Sequence, residues 1–409
     1  MSKRDYRLSV LENYRRATSI GAYDRPATGL FGKYDHVRLL WEDVCTRRYL
    51  REFLRDAAEW MEPLCVADLG CGSGEGFRLL FHATTDEGAV LAEQRLHSYI
   101  GFDISDAMIA KARALFPDEP RVRFYQVDLS EGLPDVETEL RFNLYFSSYA
   151  ALSHLSDDEL QELLRSLFQR MASRAVFVAD LLGRYSWEWT GYWYVGGACF
   201  KEYTMSYLYP PDERETAERF PMRYWGGSEF DQFVRMAAQE AGVRVVRAAH
   251  HDRSVFVGRH TDTGAFNPDI VPIRAYVNQL FEPYHRTEVD KLYIPRLPES
   301  PNAAVNDFLH TFANDWNRLV ECWLVATHEP LHADTWLHTN RTRLSPIARE
   351  LAESLLDSLG AMRTLPVDSP IANFAEPLLG YLLRRLERRS QRGLGCGHGL
   401  LAYYEFVRT

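Results

Sequence analysis

From about residue 60 to residue 262, short runs of apolar residues alternate with segments whose apolar residues recur every three or four positions. The short runs are typical of buried strands and the longer segments of amphipathic helices. Their alternation predicts a parallel sheet with helices on both faces. Seven strands are predicted, at residues 64–70, 97–104, 121–129, 141–148, 174–182, 243–250 and 253–260. Only His251 and Asp252 separate the last two, so we expect a hairpin there and an antiparallel final strand.

Capping residues mark the helices between these strands. Ser105 precedes one apolar repeat, and Ser156 begins a capping box with Glu159. A third helix is predicted to start near Ser228 and to end at Gly242, because glycine is common just after a helix C-terminus.

Helical patterns dominate on both sides of this segment. Residues 36–60 keep one side apolar and could cover the sheet. Further helices are predicted at 303–325, 346–362 and 372–390, after a proline-rich connector. We therefore expect an N-terminal helical lid at 1–60, an α/β core at 61–264 that includes an aromatic insertion at 182–227, and a mainly helical region at 265–409.

Composition narrows the class of protein. The chain has 409 residues, of which 46% are hydrophobic and 25% charged, as in a globular protein of two or three domains. A formal net charge of -10 gives no overall positive field, so we expect no nucleic-acid partner. The six cysteines form no C-x-x-C pair, which argues against a disulfide framework. Since neither a membrane span nor a signal peptide is evident, we expect a cytoplasmic protein without a membrane partner.

A glycine-rich segment, VADLGCGSGEG at 66–76, follows the first predicted strand. Glycines let a backbone turn sharply and approach a ligand closely, and the N-terminus of the next helix supplies free N–H groups. A dinucleotide-binding turn would place its third glycine at position 75, which is Glu75 here. Asp68 would also place negative charge near a pyrophosphate, whereas it suits a cationic amine. The dinucleotide interpretation is therefore disfavoured.

The D-x-G-x-G-x-G pattern at 68–74 resembles the first motif of the class I S-adenosylmethionine-dependent methyltransferases. The segments SYIGFDIS at 98–105 and FYQVDL at 124–129 lie where this family has its next two motifs. The resemblance implies a Rossmann-like fold, with S-adenosyl-L-methionine as cofactor and S-adenosyl-L-homocysteine as product. The cofactor-binding residues that it implies are Asp68, Gly70, Cys71, Gly72, Asp103, Ile104, Met108, Asp128, Leu129 and Ser147.

In this family the acid at position 103 would accept hydrogen bonds from the ribose, and Asp128 would accept one from the adenine amino group. A structural alternative is that Asp68, Asp103 and Asp128 only cap the helices that follow them. All three lie at the carboxyl ends of predicted strands, where α/β sheets bind ligands, and this favours the binding role.

The segment RFNLYFSSYAALSHL at 141–155 looks like the family's fourth motif, with Asn143 in place of the usual Asp. The resemblance places Ser147 and Tyr149 beside the site of methyl transfer, and it implies that Tyr149 binds substrate. It also places His154 where small-molecule members often have a histidine, which could act as a catalytic general base. A histidine bonded to the nearby backbone is an equally good interpretation.

Residues 182–227 take the place of a short connection after the fifth strand and are rich in aromatic side chains. Insertions here commonly form a wall of the acceptor pocket in the family, which implies that Trp187, Trp189, Tyr192 and Trp193 bind substrate. A dimer interface or a small satellite core would explain the same aromatics.

The resemblance thus implies methyl transfer to an O, N or C atom of a small acceptor, aromatic or natural-product-like, as in secondary metabolism. Two alternatives stay open: a protein or peptide methyltransferase, and a non-catalytic cofactor-binding partner of another enzyme. A homodimer is compatible with the sequence. No metal is expected, because the histidines near residues 328–338 lack the further ligands of a tetrahedral site.

Overall fold

The computed structural model describes residues 11–12, 15–16, 18–19, 21, 29–83, 88–362, 364 and 366–408. Its strands are β1 (Leu64–Leu69), β2 (Leu96–Asp103), β3 (Val122–Gln126), β4 (Phe142–Ser147), β5 (Met171–Gly183), β6 (Cys199–Thr204), β7 (Arg219–Trp225), β8 (Val243–Arg253) and β9 (Gly399–Arg408). Its α-helices from residue 29 onward are α1 (Asp43–Trp60), α2 (Glu75–Phe81), α3 (Asp106–Leu115), α4 (Asp157–Arg170), α5 (Gly227–Glu240), α6 (Ile273–Leu280), α7 (Ala303–His328), α8 (Ala333–Asn340), α9 (Pro346–Met362) and α10 (Glu376–Arg389). Short π-helical turns, Arg38–Glu42 and Ile371–Ala375, lead into α1 and α10.

The predicted α/β architecture is confirmed, and the strand order shows where a ligand can bind. Strands β1 to β5 are parallel and lie in the order β3-β2-β1-β4-β5. The chain moves outward from β1 in one direction and then returns to place β4 on the other side of it. Such a reversal opens a crevice at the carboxyl ends of the two central strands, where doubly wound sheets bind ligands.

The other half of the sheet differs from the prediction. Seven strands are predicted, whereas the described residues form nine. The insertion contributes a hairpin of β6 and β7, and β7 pairs with the last two residues of β5. In this half of the sheet β9 lies between β5 and β8 and is antiparallel to both. Strand β8 runs through the predicted turn at His251 and Asp252 and ends at Arg253.

The predicted strand at 253–260 is wrong; most of this segment is a buried loop. Val255, Phe256 and Val257 are fully buried, and Phe256 stacks on Phe312 of α7 at a ring distance of 4.9 Å. The main-chain N–H groups of Ser254 and Val255 donate to the Glu387 carboxylate at 3.0 and 2.8 Å. A short apolar run predicts burial but does not distinguish a strand from a loop whose N–H groups find a side-chain acceptor.

The helices agree closely with their sequence patterns. The Ser105 hydroxyl accepts from the Met108 N–H, and Ser156 and Glu159 form the capping box of α4. Helix α5 ends just before Gly242, which has a φ of +66°. The prediction at 346–362 coincides with α9. These signals are local, which is why the sequence carries them.

The N-terminal and C-terminal helices share one hydrophobic core with the sheet. Trp41 contacts Trp316 of α7 at a ring distance of 5.9 Å. Arg274 of α6 is buried and pairs with Asp35 and Glu42, each at 2.7 Å. These contacts fix the segment at 35–42 above the carboxyl ends of the strands. None of the helices in the described ranges combines the length and apolar character needed to cross a membrane.

Candidate active site

The glycine-rich turn leaves β1 and forms the floor of a cavity. Gly70 and Gly72 have φ values of +75° and +51°, in the left-handed region that glycine tolerates best. A Cβ at position 70 would lie 2.3 Å from the Cβ of Ala151. The Gly72 N–H donates to Asp103 Oδ2 at 2.8 Å, which joins the end of β2 to the turn.

The cavity lies at the carboxyl ends of β1, β2 and β4. The predicted site residues that line it are Gly70, Cys71, Gly72, Asp103, Ile104, Met108, Asp128, Leu129, Tyr149 and His154. These residues are far apart along the chain, so the sheet brings most of the predicted cofactor site together.

The two aspartates that line this cavity also bind the local backbone. Asp103 Oδ1 accepts from the Ser105 N–H at 2.8 Å, and Asp128 Oδ1 accepts from the N–H and hydroxyl of Ser130 at 3.1 and 2.6 Å. Burial raises the pKa of Asp103, and its hydrogen bonds from Ser105 and Gly72 oppose that rise. Each carboxylate oxygen has two lone pairs, so capping leaves room for bonds to a ligand. Helix capping and cofactor binding, the two roles considered for Asp103 and Asp128, are therefore compatible.

Two predicted cofactor residues do not line the cavity. Asp68 is fully buried, and its Oδ2 accepts from the Tyr99 hydroxyl. Burial raises the Asp68 pKa to about 7, although the Tyr99 hydrogen bond lowers it. Ser147 is also fully buried, and its neighbour Ser148 lines the cavity instead. Successive side chains of a strand point to opposite faces, so neighbouring residues such as Ser147 and Ser148 can differ in whether they face the core or line the cavity.

The turn after β4 is strained at the cavity wall. Tyr149 and Ala150 have φ values of +55° and +61°, a region that costs non-glycine residues about 1–3 kcal/mol each. The Tyr149 N–H donates to Asp180 Oδ2 at 2.9 Å, and its hydroxyl donates to Asp43 Oδ1 at 3.1 Å. The Arg38 guanidinium lies 3.7 Å from the centre of the Tyr149 ring. These contacts hold Tyr149 over the cavity.

A charged cluster that the sequence did not suggest covers one end of the cavity. Arg38 pairs with Asp43 at 2.7 Å and with Glu75 at 3.2 Å, and Lys33 also pairs with Glu75. Burial alone would raise the pKa of Glu75, but Lys33 and Arg38 lower it to about 2. Lys33 and Arg38 precede the first strand and belong to no sequence motif, so only the fold reveals their position. The cluster offers both cations and a carboxylate to a ligand.

The predicted aromatic residues lie elsewhere. Trp187, Trp189 and Trp193 are buried, and each indole N–H donates to a main-chain carbonyl at 3.2, 2.9 and 2.9 Å respectively. The hydroxyl of Tyr192 donates to the Glu202 carbonyl at 3.1 Å, and none of the four lines the cavity. The insertion instead contributes Met205, Tyr207 and Leu208 to the cavity wall. The tryptophans belong to the cores beneath it.

His154 borders the cavity and packs against Phe220 at a ring distance of 5.0 Å. Burial lowers its pKa to about 4. His154 is therefore neutral at pH 7, and its low basicity makes proton removal from a hydroxyl less favourable than for a histidine near pH 7.

Comparison with known proteins finds a match for the segment that contains most of the predicted cavity residues. Residues 66–173 match the family model described as a methyltransferase domain. A trans-aconitate 2-methyltransferase of Acidovorax sp. (strain JS42) is 31% identical over 108 residues, which are 25% of this chain and 37% of that relative. The chain thus spans little more than a third of the curated relatives that it matches.

Solved structures are more distant. An S-adenosylmethionine-dependent methyltransferase from Clostridium acetobutylicum ATCC 824 is 13% identical with a TM-score of 0.36, covering 58% of this chain and 90% of its own. A TehB-like methyltransferase from Corynebacterium glutamicum is 19% identical with a TM-score of 0.29, covering 58% and 85%.

Proposed function

We propose that this protein, in which residues 66–173 form a class I S-adenosylmethionine-dependent methyltransferase domain, transfers a methyl group from S-adenosylmethionine to an O, N or C atom of a small acceptor. One observation carries the proposal. The glycine turn at 70–72 holds the Asp103 carboxylate at the rim of a cavity that Asp128 and apolar side chains also line.

The residues present fit this cofactor. Asp103 can accept bonds from the ribose hydroxyls, and Asp128 can accept one from the adenine amino group. Ile104, Met108 and Leu129 supply apolar surface for the adenosine. Lys33, Arg38 and Glu75 supply charges of both signs for an amino-acid group. An added Cβ at Gly72 would meet no atom within 4 Å, so the turn leaves open space beside it.

The chemistry then depends mainly on position. S-adenosylmethionine, when bound, supplies a methyl group already activated on a sulfonium. Tyr149 and the wall of Met205, Tyr207 and Leu208 would orient the acceptor and exclude water. Holding the acceptor atom in line with the methyl carbon can supply several kcal/mol of the rate enhancement.

A small acceptor is supported by the shape of the site. A second, smaller pocket shares Tyr149 with the cavity, and its lining is mostly buried, which suits a small group better than a polypeptide. The matched relative is named for trans-aconitate, a small molecule, although the match covers only part of each chain.

Calorimetry with S-adenosylmethionine and S-adenosylhomocysteine tests the cofactor site. We expect both to bind the wild type, and Asp103→Asn to weaken binding about tenfold or more, because a charged acceptor is lost. Asp106→Asn is the matched control, since Asp106 is exposed, pairs with Arg15 and does not line the cavity. Circular dichroism must show that both variants are folded. Absence of binding to the folded wild type would contradict the proposal.

A further inference from the structure

A second pocket lies beside the cavity and shares part of its wall. The two share the side chains of Arg38, Tyr149, His154, Met205, Tyr207 and Arg259. The second pocket extends to Asp180 on β5, Tyr203 on β6 and His398, the residue before β9. A group in this pocket would therefore lie next to the cofactor cavity, while the residues that contact it come from three distant parts of the chain.

His398 is held by a buried carboxylate. Its Nδ1 lies 2.9 Å from Glu188 Oε2, and Glu188 is 1% exposed. The Ser186 hydroxyl donates to the same oxygen at 3.0 Å, and the His260 N–H donates to Oε1. Residue 258 is glycine, and a Cβ there would lie 2.0 Å from Glu188 Oε2. The carboxylate is thus fixed in place by bonds and by close packing.

This arrangement selects one tautomer of His398. Burial alone would raise the pKa of Glu188, but its interactions with His398 and His260 lower it, so the carboxylate stays ionised. An ionised carboxylate only accepts hydrogen bonds, so His398 must donate through Nδ1. Its Nε2 lone pair is then directed away from Glu188. The group at that side is the Tyr203 hydroxyl, at 3.4 Å, a long hydrogen bond.

Asp180 and Arg253 bring charges of both signs to this pocket. Asp180 and Arg253 both line it and pair at 2.8 Å through Asp180 Oδ2. Their remaining buried atoms, Asp180 Oδ1 and Arg253 Nε, have no hydrogen-bond partner among the described residues. Buried polar atoms are nearly always bonded in folded proteins. The other charged side chains that line the pocket are Arg38 and Arg259, which pair with Glu75 and Glu42 respectively.

We propose that His398, oriented by Glu188, is the general base of the reaction and that the acceptor atom is a hydroxyl oxygen. This inference rests on the proposed methyltransferase function. His398 Nε2 takes the hydroxyl proton, and the oxygen forms a bond to the methyl carbon. The C–S bond breaks with its electron pair left on sulfur, and the proton passes from His398 to solvent. The products are a methyl ether, S-adenosylhomocysteine and one proton.

His398 and His154 differ in the groups that surround them. His154 has a pKa of about 4 that burial alone explains, whereas His398 has a buried carboxylate within hydrogen-bond distance of its Nδ1. A base oriented by a third group is the arrangement that proton-transfer sites repeatedly use. His398 therefore replaces His154 as the predicted base.

The experiment uses 4-nitrophenol as a hydroxyl probe, because its phenolate absorbs visible light. The full chain is first saturated with S-adenosylhomocysteine, and calorimetry confirms that saturation. The phenolate-to-phenol ratio of the bound probe is then measured by absorbance from pH 6 to pH 8. We expect this ratio to exceed that of the free probe by about threefold or more, because His398 accepts the proton. His398→Gln should abolish the increase and Glu188→Gln should reduce it.

The matched control is His332→Gln, because His332 also bonds a glutamate, Glu329, but is exposed, lies in the turn between α7 and α8 and lines neither pocket. It should leave the ratio unchanged. Loss of the increase in His154→Gln but not in His398→Gln would overturn the inference, as would failure of the probe to bind. In either case normal binding of S-adenosylhomocysteine would leave the proposed function intact. If His398→Gln does not fold, ¹⁵N NMR of the wild type decides: a proton on Nε2 rather than Nδ1 of His398 overturns the assignment.

Discussion

Asp68 shows how one buried carboxyl group links folding to pH. Its pKa rises from 3.8 to about 7 in the folded chain, mainly through burial. Between these values the folded state keeps a proton that the unfolded state has lost. The unfolded state thus binds fewer protons, and stability falls as pH rises through this window, by up to about 1.4 kcal/mol per pH unit.

We therefore expect Asp68→Asn, which cannot ionise, to remove this part of the pH dependence. Urea unfolding from pH 4 to pH 7 would measure it. The free energy of unfolding of the wild type should fall relative to that of the variant as pH rises. Parallel curves for the two proteins would show that Asp68 titrates near its ordinary pKa.

At the scale of elements, Glu387 on α10 explains why residues 254–257 are buried without being a strand. It accepts from the Trp41 indole N–H at 2.9 Å and from the main chain of Ser254 and Val255. The surrounding run of arginines in the sequence predicts a solvated helix face, yet Glu387 is 1% exposed. One side chain thus joins α10, the turn before α1 and the loop after β8.

We expect Glu387→Ala to lower the free energy of unfolding by at least about 2 kcal/mol, because three buried donors lose their acceptor. Glu350→Ala is the matched control, since Glu350 is a half-exposed helical glutamate that pairs with Arg385 and Arg389. It should change stability by less than about 1 kcal/mol. Thermal or urea unfolding measures both. Equal effects of the two substitutions would contradict this role of Glu387.

At the scale of the whole molecule, the C-terminal strand lies inside the sheet and not at its edge. Strand β9 pairs with β5 along Arg174–Leu182 and with β8 on its other edge, so both of its edges are bonded. Residues 254–398 therefore form a long insertion between two strands that are neighbours in the sheet. The C-terminal part of the chain is structurally continuous with the α/β sheet.

We expect the main-chain amides of Leu400–Phe406 to exchange hydrogen as slowly as those of β4, because β9 opens only when the sheet unfolds. Native-state hydrogen exchange with mass spectrometry measures this directly. The amides of the exposed loop at 196–198 provide the fast-exchanging reference. Exchange of β9 at the rate of that loop would show that the C-terminal region opens independently of the core.

Features that depend on local chemistry can be predicted from the sequence alone. The glycines at 70 and 72 are needed for their backbone angles, Ser105 and Ser156 cap helices, and apolar repeats mark α9. Acids at the ends of β2 and beside β3 follow from the same short motifs, and the parallel sheet then brings them to one edge. Each of these signals lies within a few residues of the feature that it predicts.

The rest of the site depends on contacts between segments that are far apart in the sequence. Arg38 meets Glu75, and Glu188 meets His398 across 210 positions of sequence, because strand pairing and helix packing bring distant segments together. The tryptophans of the insertion face the core rather than the cavity, and β9 replaces the expected strand at 253–260. Apolar patterns predict that such residues are buried, but the partner that buries each one is fixed by the whole fold.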